Sequence, residues 1–226
     1  MINTNIKRFE KADKSTLKTL GKYSTSNISD ALDKLKIKGG CVGIHPLIQG
    51  LKIIGPAFTV KYRVAGVNPG TVGDYIDFCE PGDVVVLDNA GRMYCTVWGD
   101  ILTYVAKRKG LAGTVIDGVC RDVKTILELN YPLFSKGFFM MTGKDRVEVE
   151  GINVPVNISD VKVEPGDIIV ADDSGVVVVP RVKLEEVIAL AEKIAEAENN
   201  IINAVNNGLS LQEAREKYQY HKLQRG

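Results

Sequence analysis

Two apolar runs constrain this chain more than anything else in it. Val84-Val85-Val86-Leu87 and Gly113-Thr114-Val115-Ile116-Asp117 are each followed by a segment of helical length. Four consecutive large aliphatic residues need cover on both faces, as a strand inside a mostly parallel sheet has. Parallel neighbours must be joined by a crossover, so helix between such runs points to a wound α/β arrangement. A helix is expected from about Thr96 to Lys109, ended by Gly110. A second is expected from Val123 to Leu129, before a strand-like Pro132-Leu133-Phe134.

The flanks read differently. Asp13 to Leu20 is polar and amphipathic, and Ser26-Asn27-Ile28-Ser29-Asp30 offers cap residues before Ala31 to Leu35. Gly39 and Gly40 end that helix, and Ala57 to Val64 alternates as a strand does. Asn68-Pro69-Gly70 reads as a turn before a short helix near Val72 to Cys79. Past Ser135 the helices give way to short β segments at 147–149, 154–156, 161–163, 167–171 and 176–179, which suits a mixed or antiparallel layer. A long helix follows from Leu184 to about Asn206, with Ile188, Ala191, Ile194 and Ala195 as its apolar stripe. Gly208 stops it, and Ser210 caps a last helix to about Tyr218.

One stretch occurs twice. Glu80-Pro81-Gly82-Asp83 leads through Val84 to Leu87 into Asp88-Asn89-Ala90-Gly91, and Glu164-Pro165-Gly166-Asp167 leads through Ile168 to Ala171 into Asp172-Asp173-Ser174-Gly175. Each copy is a turn, a buried strand and an acidic turn, and the aspartates read as turn formers before ligands.

Charge and cysteine usage exclude several classes. With a formal net charge of +1 on 226 residues, no long-range field favours nucleic acid or an anionic membrane. Lys107, Arg108 and Lys109 are the tight basic cluster, and they end a helix, where cations suit the dipole. Cys41, Cys79, Cys95 and Cys120 have no CxxC spacing, and with only His45 and His221 beside them a zinc site is not expected. Reduced, buried thiols, a polar Met1 to Asn5 and the lack of an apolar run of roughly 18 residues lead to the expectation of a cytoplasmic protein.

Chemistry is expected where the strands end. In an open parallel sheet, ligands collect at the carboxyl ends of strands. One strand leads through Asp88 to Gly91 towards Gly99-Asp100, and the next leads through Gly118 to Arg121-Asp122, with twenty residues between Asp100 and Arg121. Free amides at a helix start bind carboxylate or phosphate. Arg121 offers a planar fork for an anionic oxygen, and Asp122 and Asp100 offer hard oxygens. Few protein ligands plus several waters suits Mg²⁺ or Mn²⁺. The same residues also serve as helix caps and as a structural ion pair. Asp117 competes for a site role and also reads as a turn residue.

Trp98-Gly99-Asp100, Ala112 to Gly118 and Arg121-Asp122 together resemble the HMG/CHA aldolase and RraA-like family, whose signature is Asp, twenty residues, Arg-Asp. Ser29 to Leu32, Gly55-Pro56-Ala57, Pro81-Gly82-Asp83, Asn153 to Val156 and Pro165 to Pro180 follow in the family's order. The resemblance implies an α/β fold: a central α/β/β sandwich with flanking terminal helices, one RraA-like domain over residues 1–226. Its helices would occupy about 4–36 and 184–219, and its core about 50–180.

It further implies a class II aldolase that cleaves a 4-hydroxy-2-oxo acid of HMG/CHA type to pyruvate, with oxaloacetate decarboxylation as a side activity. Asp122 would hold Mg²⁺ or Mn²⁺ with waters, and Asp100 would act through one of them. Arg121 would bind the 2-oxo acid and stabilise the enolate. Backbone amides near Gly99, Ile101 and Leu102 would hold the substrate carboxylate. A glutamate of a neighbouring subunit's C-terminal helix would join the site in a homotrimer or homohexamer; Glu198 is chosen, with Glu196 beside it. Lys144 is a further candidate, and His45 reads as a surface or structural residue. The small 2-oxo acid is the expected partner, with neither nucleic acid nor membrane. The competing reading is a non-catalytic RraA-like regulator that binds a ribonuclease or another protein partner; in the ribonuclease regulator the residue matching Asp122 differs. A methyltransferase label, also attached to relatives, finds no Gly-rich nucleotide loop here.

Overall fold

The computed structural model describes residues 9–67 and 70–220. Asn68, Pro69 and His221, and the first residues of the expected N-terminal helical stretch, lie outside them. The strands are β1 (His45–Pro46), β2 (Ile53–Val64), β3 (Val84–Thr96), β4 (Gly113–Cys120), β5 (Leu133–Phe138), β6 (Val147–Ile152), β7 (Val156–Ile158), β8 (Val161–Val163), β9 (Ile168–Asp172) and β10 (Gly175–Val179). The α-helices are α1 (Lys14–Leu20), α2 (Thr25–Lys34), α3 (Asp100–Lys109), α4 (Val123–Glu128), α5 (Leu184–Asn206) and α6 (Leu211–Lys217). A 3₁₀ turn covers Asp74–Phe78 where the short helix was expected.

The main sheet runs β1-β5-β4-β3-β2-β9-β10. Strands β2 to β5 are parallel, as the two apolar runs require. β2 connects two layers. Its first residues, Ile53 to Pro56, pair with β9; Ala57 to Lys61 pair with β3; and Val60 to Val64 pair with β6. The expected strand start at Ala57 is therefore four residues late, because β9 continues the pairing past Gly55-Pro56.

Alternation along each strand fills two cores. Val85, Leu87 and Ile116 face a core shared with Trp98, Ala106 and Ile126, beneath α3 and α4. Val84, Val86 and Val115 face Ile169, Ala171, Val176 and Val178 of β9 and β10. The outer face of that second layer, Ile168, Val170, Val177 and Val179, is covered by Ile28 and Leu32 of α2 and by Val187, Ala191 and Ile194 of α5. This is the expected α/β/β sandwich with terminal helices on its outside. Each fully buried aliphatic contributes roughly 1.5–3 kcal/mol.

Local corrections have local causes. α2 starts earlier than its expected cap, because Ser24 and Asn27 close a reciprocal capping box. β3 does not end at Leu87. It bends at Ala90 and Gly91, both at positive φ, and continues to Thr96, so α3 starts at Asp100. The α5 and α6 boundaries agree with expectation, with Ser210 and Glu213 forming a second capping box.

The repeated stretch adopts one geometry twice. Asp83 Oδ2 accepts from Glu80 N–H at 2.8 Å, and Asp167 Oδ2 accepts from Glu164 N–H at 2.8 Å. Asp88 Oδ1 accepts from Ala90 N–H and Asp172 Oδ1 from Ser174 N–H, so all four aspartates bind their own turns. The four cysteines are buried and form no disulfide, and burial pushes the Cys41 thiol up to about 12 and the Cys120 thiol up to about 11. Among the described residues, no helix is long and apolar enough to cross a membrane.

Candidate active site

The site is built where β3 and β4 hand over to α3 and α4. Trp98 is buried and stacks on Tyr131 with centroids 5.9 Å apart and planes 11° from parallel. Its Nε1–H donates to Thr103 Oγ1 at 2.8 Å, and the Thr103 hydroxyl donates to the Gly99 carbonyl at 2.7 Å. Arg121 N–H donates to the Trp98 carbonyl at 3.0 Å. These bonds tie the start of α3 to the end of β4, two segments twenty residues apart in sequence. Thr103 thus supports the site, a role that no sequence motif marked.

Asp122 sits at φ 56°, a left-handed conformation that Asp tolerates better than most residues. Its carboxylate does not cap its own helix, α4. Asp122 Oδ2 instead accepts from Asp100 N–H, at the first position of α3, at 3.1 Å. The same oxygen lies 3.2 Å from Arg121 Nε. One carboxylate thus joins both helix starts, and about a third of each side chain of the pair stays exposed to solvent.

Gly99 is required by space. A Cβ there would stand 2.5 Å from Asp122 Oδ2 and 3.2 Å from Arg121 Nε. The backbone at Gly99 is extended, so only the close approach of the carboxylate and guanidinium demands glycine.

A cavity of about 310 Å³ opens beside this junction, lined by Trp98 to Leu102 and Arg121. Its other walls are Thr96, Val97, Val105, Thr142 and, from the segment before β3, Val72, Gly73, Asp74, Ile76 and Asp77. Gly99, Asp100, Ile101, Leu102 and Arg121 are therefore brought together, with Asp122 bonded to them. Two first-turn amides of α3 are engaged within the chain: Asp100 N–H with Asp122, and Ile101 N–H with Asp100 Oδ1 at 2.8 Å.

Other candidates lie elsewhere. Glu198 is on α5, against the second β layer. Its Oε2 accepts from Asn27 Nδ2 at 2.7 Å and its Oε1 from the Tyr220 hydroxyl at 3.2 Å. It does not line this cavity of its own chain, and Glu196 on the same helix is exposed. Lys144 is exposed, two residues past the lining residue Thr142, whose Oγ1 accepts its N–H. His45 borders a separate cleft with Ser29, Asp30 and Cys41.

Asp117 is 96% buried and outside the candidate site. Its Oδ1 lies 2.6 Å from Lys136 Nζ, on the opposite face of the sheet from α3. Removing the partner of a buried charge leaves it uncompensated. Lys136→Met is expected to cost roughly 3 kcal/mol in urea unfolding, and an unchanged midpoint would remove the structural role assigned to this pair.

Several apolar side chains are exposed where β3 and β5 end: Met93, Tyr94, Phe138, Met140 and Met141. Of these, Met141 follows the cavity wall most directly, since the lining residue Thr96 donates from its N–H and its Oγ1 to the Met141 carbonyl.

Known proteins carry the same architecture. A protein of Pseudomonas syringae, described as uncharacterized, has a solved structure with a TM-score of 0.85 and 42% identity, covering 92% of this chain and 100% of that one. Protein DlpA of Legionella pneumophila is 43% identical over 209 residues, 91% of this chain; the chain spans 34% of DlpA's length. A Halalkalibacterium halodurans protein named "Putative 4-hydroxy-4-methyl-2-oxoglutarate aldolase" is 37% identical, over 75% of this chain and 78% of that one. The Aldolase/RraA family model matches residues 25–178, well over half of the sequence, and the chain belongs to the RraA-like family.

Proposed function

We propose that this chain is a divalent-metal-dependent class II aldolase that cleaves a 4-hydroxy-2-oxo acid to pyruvate and a second carbonyl compound, and that it also decarboxylates oxaloacetate. The observation that carries this reading is the junction of Asp122, Arg121 and the start of α3 around Gly99, beside an open cavity.

The donor set fits a hard cation. Among the described residues no group of three or more His, Cys, Asp or Glu forms a closed metal cage. A single carboxylate ligand with several waters is the habit of Mg²⁺ and Mn²⁺. Asp122 would hold the ion, with Asp100 hydrogen-bonded to one of its waters. When bound, the ion supplies positive charge against which an enolate oxygen is stabilised.

The chain's own residues do the rest. Arg121 binds the 2-oxo acid through its planar fork and faces the negative charge that develops as the bond breaks. The Gly99 and Leu102 amides, at the positive end of α3, receive the substrate carboxylate; Ile101 joins them once Asp100 releases its amide. In the cleavage, the 4-hydroxyl loses its proton towards Asp100 and C4 becomes a carbonyl carbon. The C3–C4 electron pair passes into the enolate of pyruvate, which is then protonated at C3. Oxaloacetate gives the same enolate by losing CO₂.

A neighbouring subunit completes the site in this reading. The exposed Met93, Tyr94, Phe138, Met140 and Met141 near the ends of β3 and β5 support an interface there, in a homotrimer or homohexamer. Glu198 of α5, held by Asn27 and Tyr220, is the partner-supplied glutamate. The same apolar surface also suits a regulator that binds a ribonuclease, and turnover separates the two readings.

The test is coupled pyruvate release, comparing the wild type with Arg121→Lys. Lysine keeps the charge and loses the fork, so turnover should fall by roughly 10²-fold. Release of no pyruvate by the wild type from any 2-oxo acid offered would favour the regulator.

A further inference from the structure

We infer that Thr103 is a positioning residue for the proposed cation site: acting through a single peptide group, its hydroxyl sets where the Asp122 carboxylate lies. The inference rests on the reading of Asp122 as the cation's ligand.

The hydroxyl has no choice of bonds. Trp98 and Thr103 are both buried. An indole N–H can only donate, so the 2.8 Å contact from Trp98 Nε1 makes Thr103 Oγ1 the acceptor. The hydroxyl proton must then go elsewhere, and it goes to the Gly99 carbonyl at 2.7 Å. That carbonyl also accepts from Thr103 N–H at 3.0 Å, the first helical bond of α3. Thr103 thus fills both lone pairs of the Gly99 oxygen.

This carbonyl is one end of a rigid unit. The Gly99 C=O and the Asp100 N–H belong to the same planar trans peptide and point in opposite directions. Fixing the carbonyl therefore fixes the amide, and the amide donates to Asp122 Oδ2 at 3.1 Å. The preceding peptide is held as well, since the Trp98 carbonyl accepts from Arg121 N–H at 3.0 Å. The N-cap Gly99 supplies no side-chain cap, so the placement of the Gly99–Asp100 peptide falls to Thr103. A chain of hydrogen bonds runs from the buried indole, through the hydroxyl and the peptide, to the carboxylate that would hold the cation. Bonds in series polarise one another, which strengthens the last of them. Valine would fill the same space without the hydroxyl, leaving the peptide free to tilt and the carboxylate to follow it.

Thr103→Val and Thr103→Ser, made in the full chain, test this. The first readout is Mn²⁺ affinity, followed by the electron paramagnetic resonance of the free ion as it is titrated into chelator-treated protein. Groups that orient a metal ligand are worth about 10- to 100-fold in affinity, so the Mn²⁺ Kd should rise by about tenfold or more in Thr103→Val and stay within about twofold of wild type in Thr103→Ser. The second readout is pyruvate release from oxaloacetate against Mg²⁺ concentration. Thr103→Val should need about tenfold more Mg²⁺ for half its maximal rate, with KM for oxaloacetate at saturating Mg²⁺ near that of the wild type. A merely structural threonine would lower the thermal midpoint of the valine variant and move neither titration. Should Thr103→Val fail to fold, Thr103→Ala, which introduces the best helix former, carries the same expectations. Wild-type Mn²⁺ affinity in the folded valine or alanine variant, or a serine variant as weak as the valine one, would overturn the inference and leave the aldolase reading standing. Wild-type protein that bound Mn²⁺ and released no pyruvate would overturn the aldolase reading alone. Wild-type protein that bound no Mn²⁺ would overturn the cation reading and the inference with it.

Discussion

Asp122→Asn is expected to lower pyruvate release by about 10³-fold or more while leaving the thermal midpoint and oligomeric state near those of the wild type. The substitution isolates charge. Asparagine tolerates the left-handed φ of 56° and can still accept the Asp100 amide through its own oxygen. It loses the negative charge that would hold a divalent ion and that faces Arg121 Nε at 3.2 Å. Asp122→Ala should be as inactive and also less stable, because alanine fits the left-handed region poorly. Turnover within tenfold of wild type in the asparagine variant would mean that the cation, if one acts, is held elsewhere.

The second large effect is expected at Gly99. The added methyl of Gly99→Ala meets Asp122 Oδ2 at 2.5 Å and the Arg121 side chain at 3.2–3.3 Å, so the pair must move. The extended backbone there is open to alanine, and the fold should survive. A displacement of about 1 Å at a reacting group costs on the order of 10²-fold in rate. Steady-state kinetics should show that loss, with a raised Mg²⁺ requirement and an unchanged circular dichroism spectrum. Wild-type kcat/KM in this variant would show that the Asp122–Arg121 geometry is not what the reaction needs.

What could be read from the sequence was what local pattern determines. The apolar stripe of α5 and the Ser210 box set their own boundaries, and the runs at Val84 and Gly113 announced strands covered on both faces. The continuation of β3 to Thr96 was hidden, because Ala90-Gly91 reads as the end of a strand and is a bend within one. Pairing of Ile53 to Pro56 with β9 was hidden as well, since a distant partner overrides the Gly55-Pro56 break. In the candidate site, the Asp100 and Arg121-Asp122 spacing located the junction, and the structure brings all three together. It removed Asp117, whose partner Lys136 is supplied by the next strand. Asp74 and Asp77, which line the cavity, were hidden because a 3₁₀ turn has no periodic signature. Glu198 can be placed on α5 from the sequence, whereas its clamp by Asn27 and Tyr220 depends on how α2 and the C-terminal residues pack.

The most direct test of the central claim is pyruvate release from oxaloacetate after exhaustive EDTA treatment and gel filtration, with divalent ions then added back. The account predicts an inactive chelated protein that recovers full turnover with Mg²⁺ or Mn²⁺, and no recovery in Asp122→Asn. Full activity in the chelated wild type would contradict it.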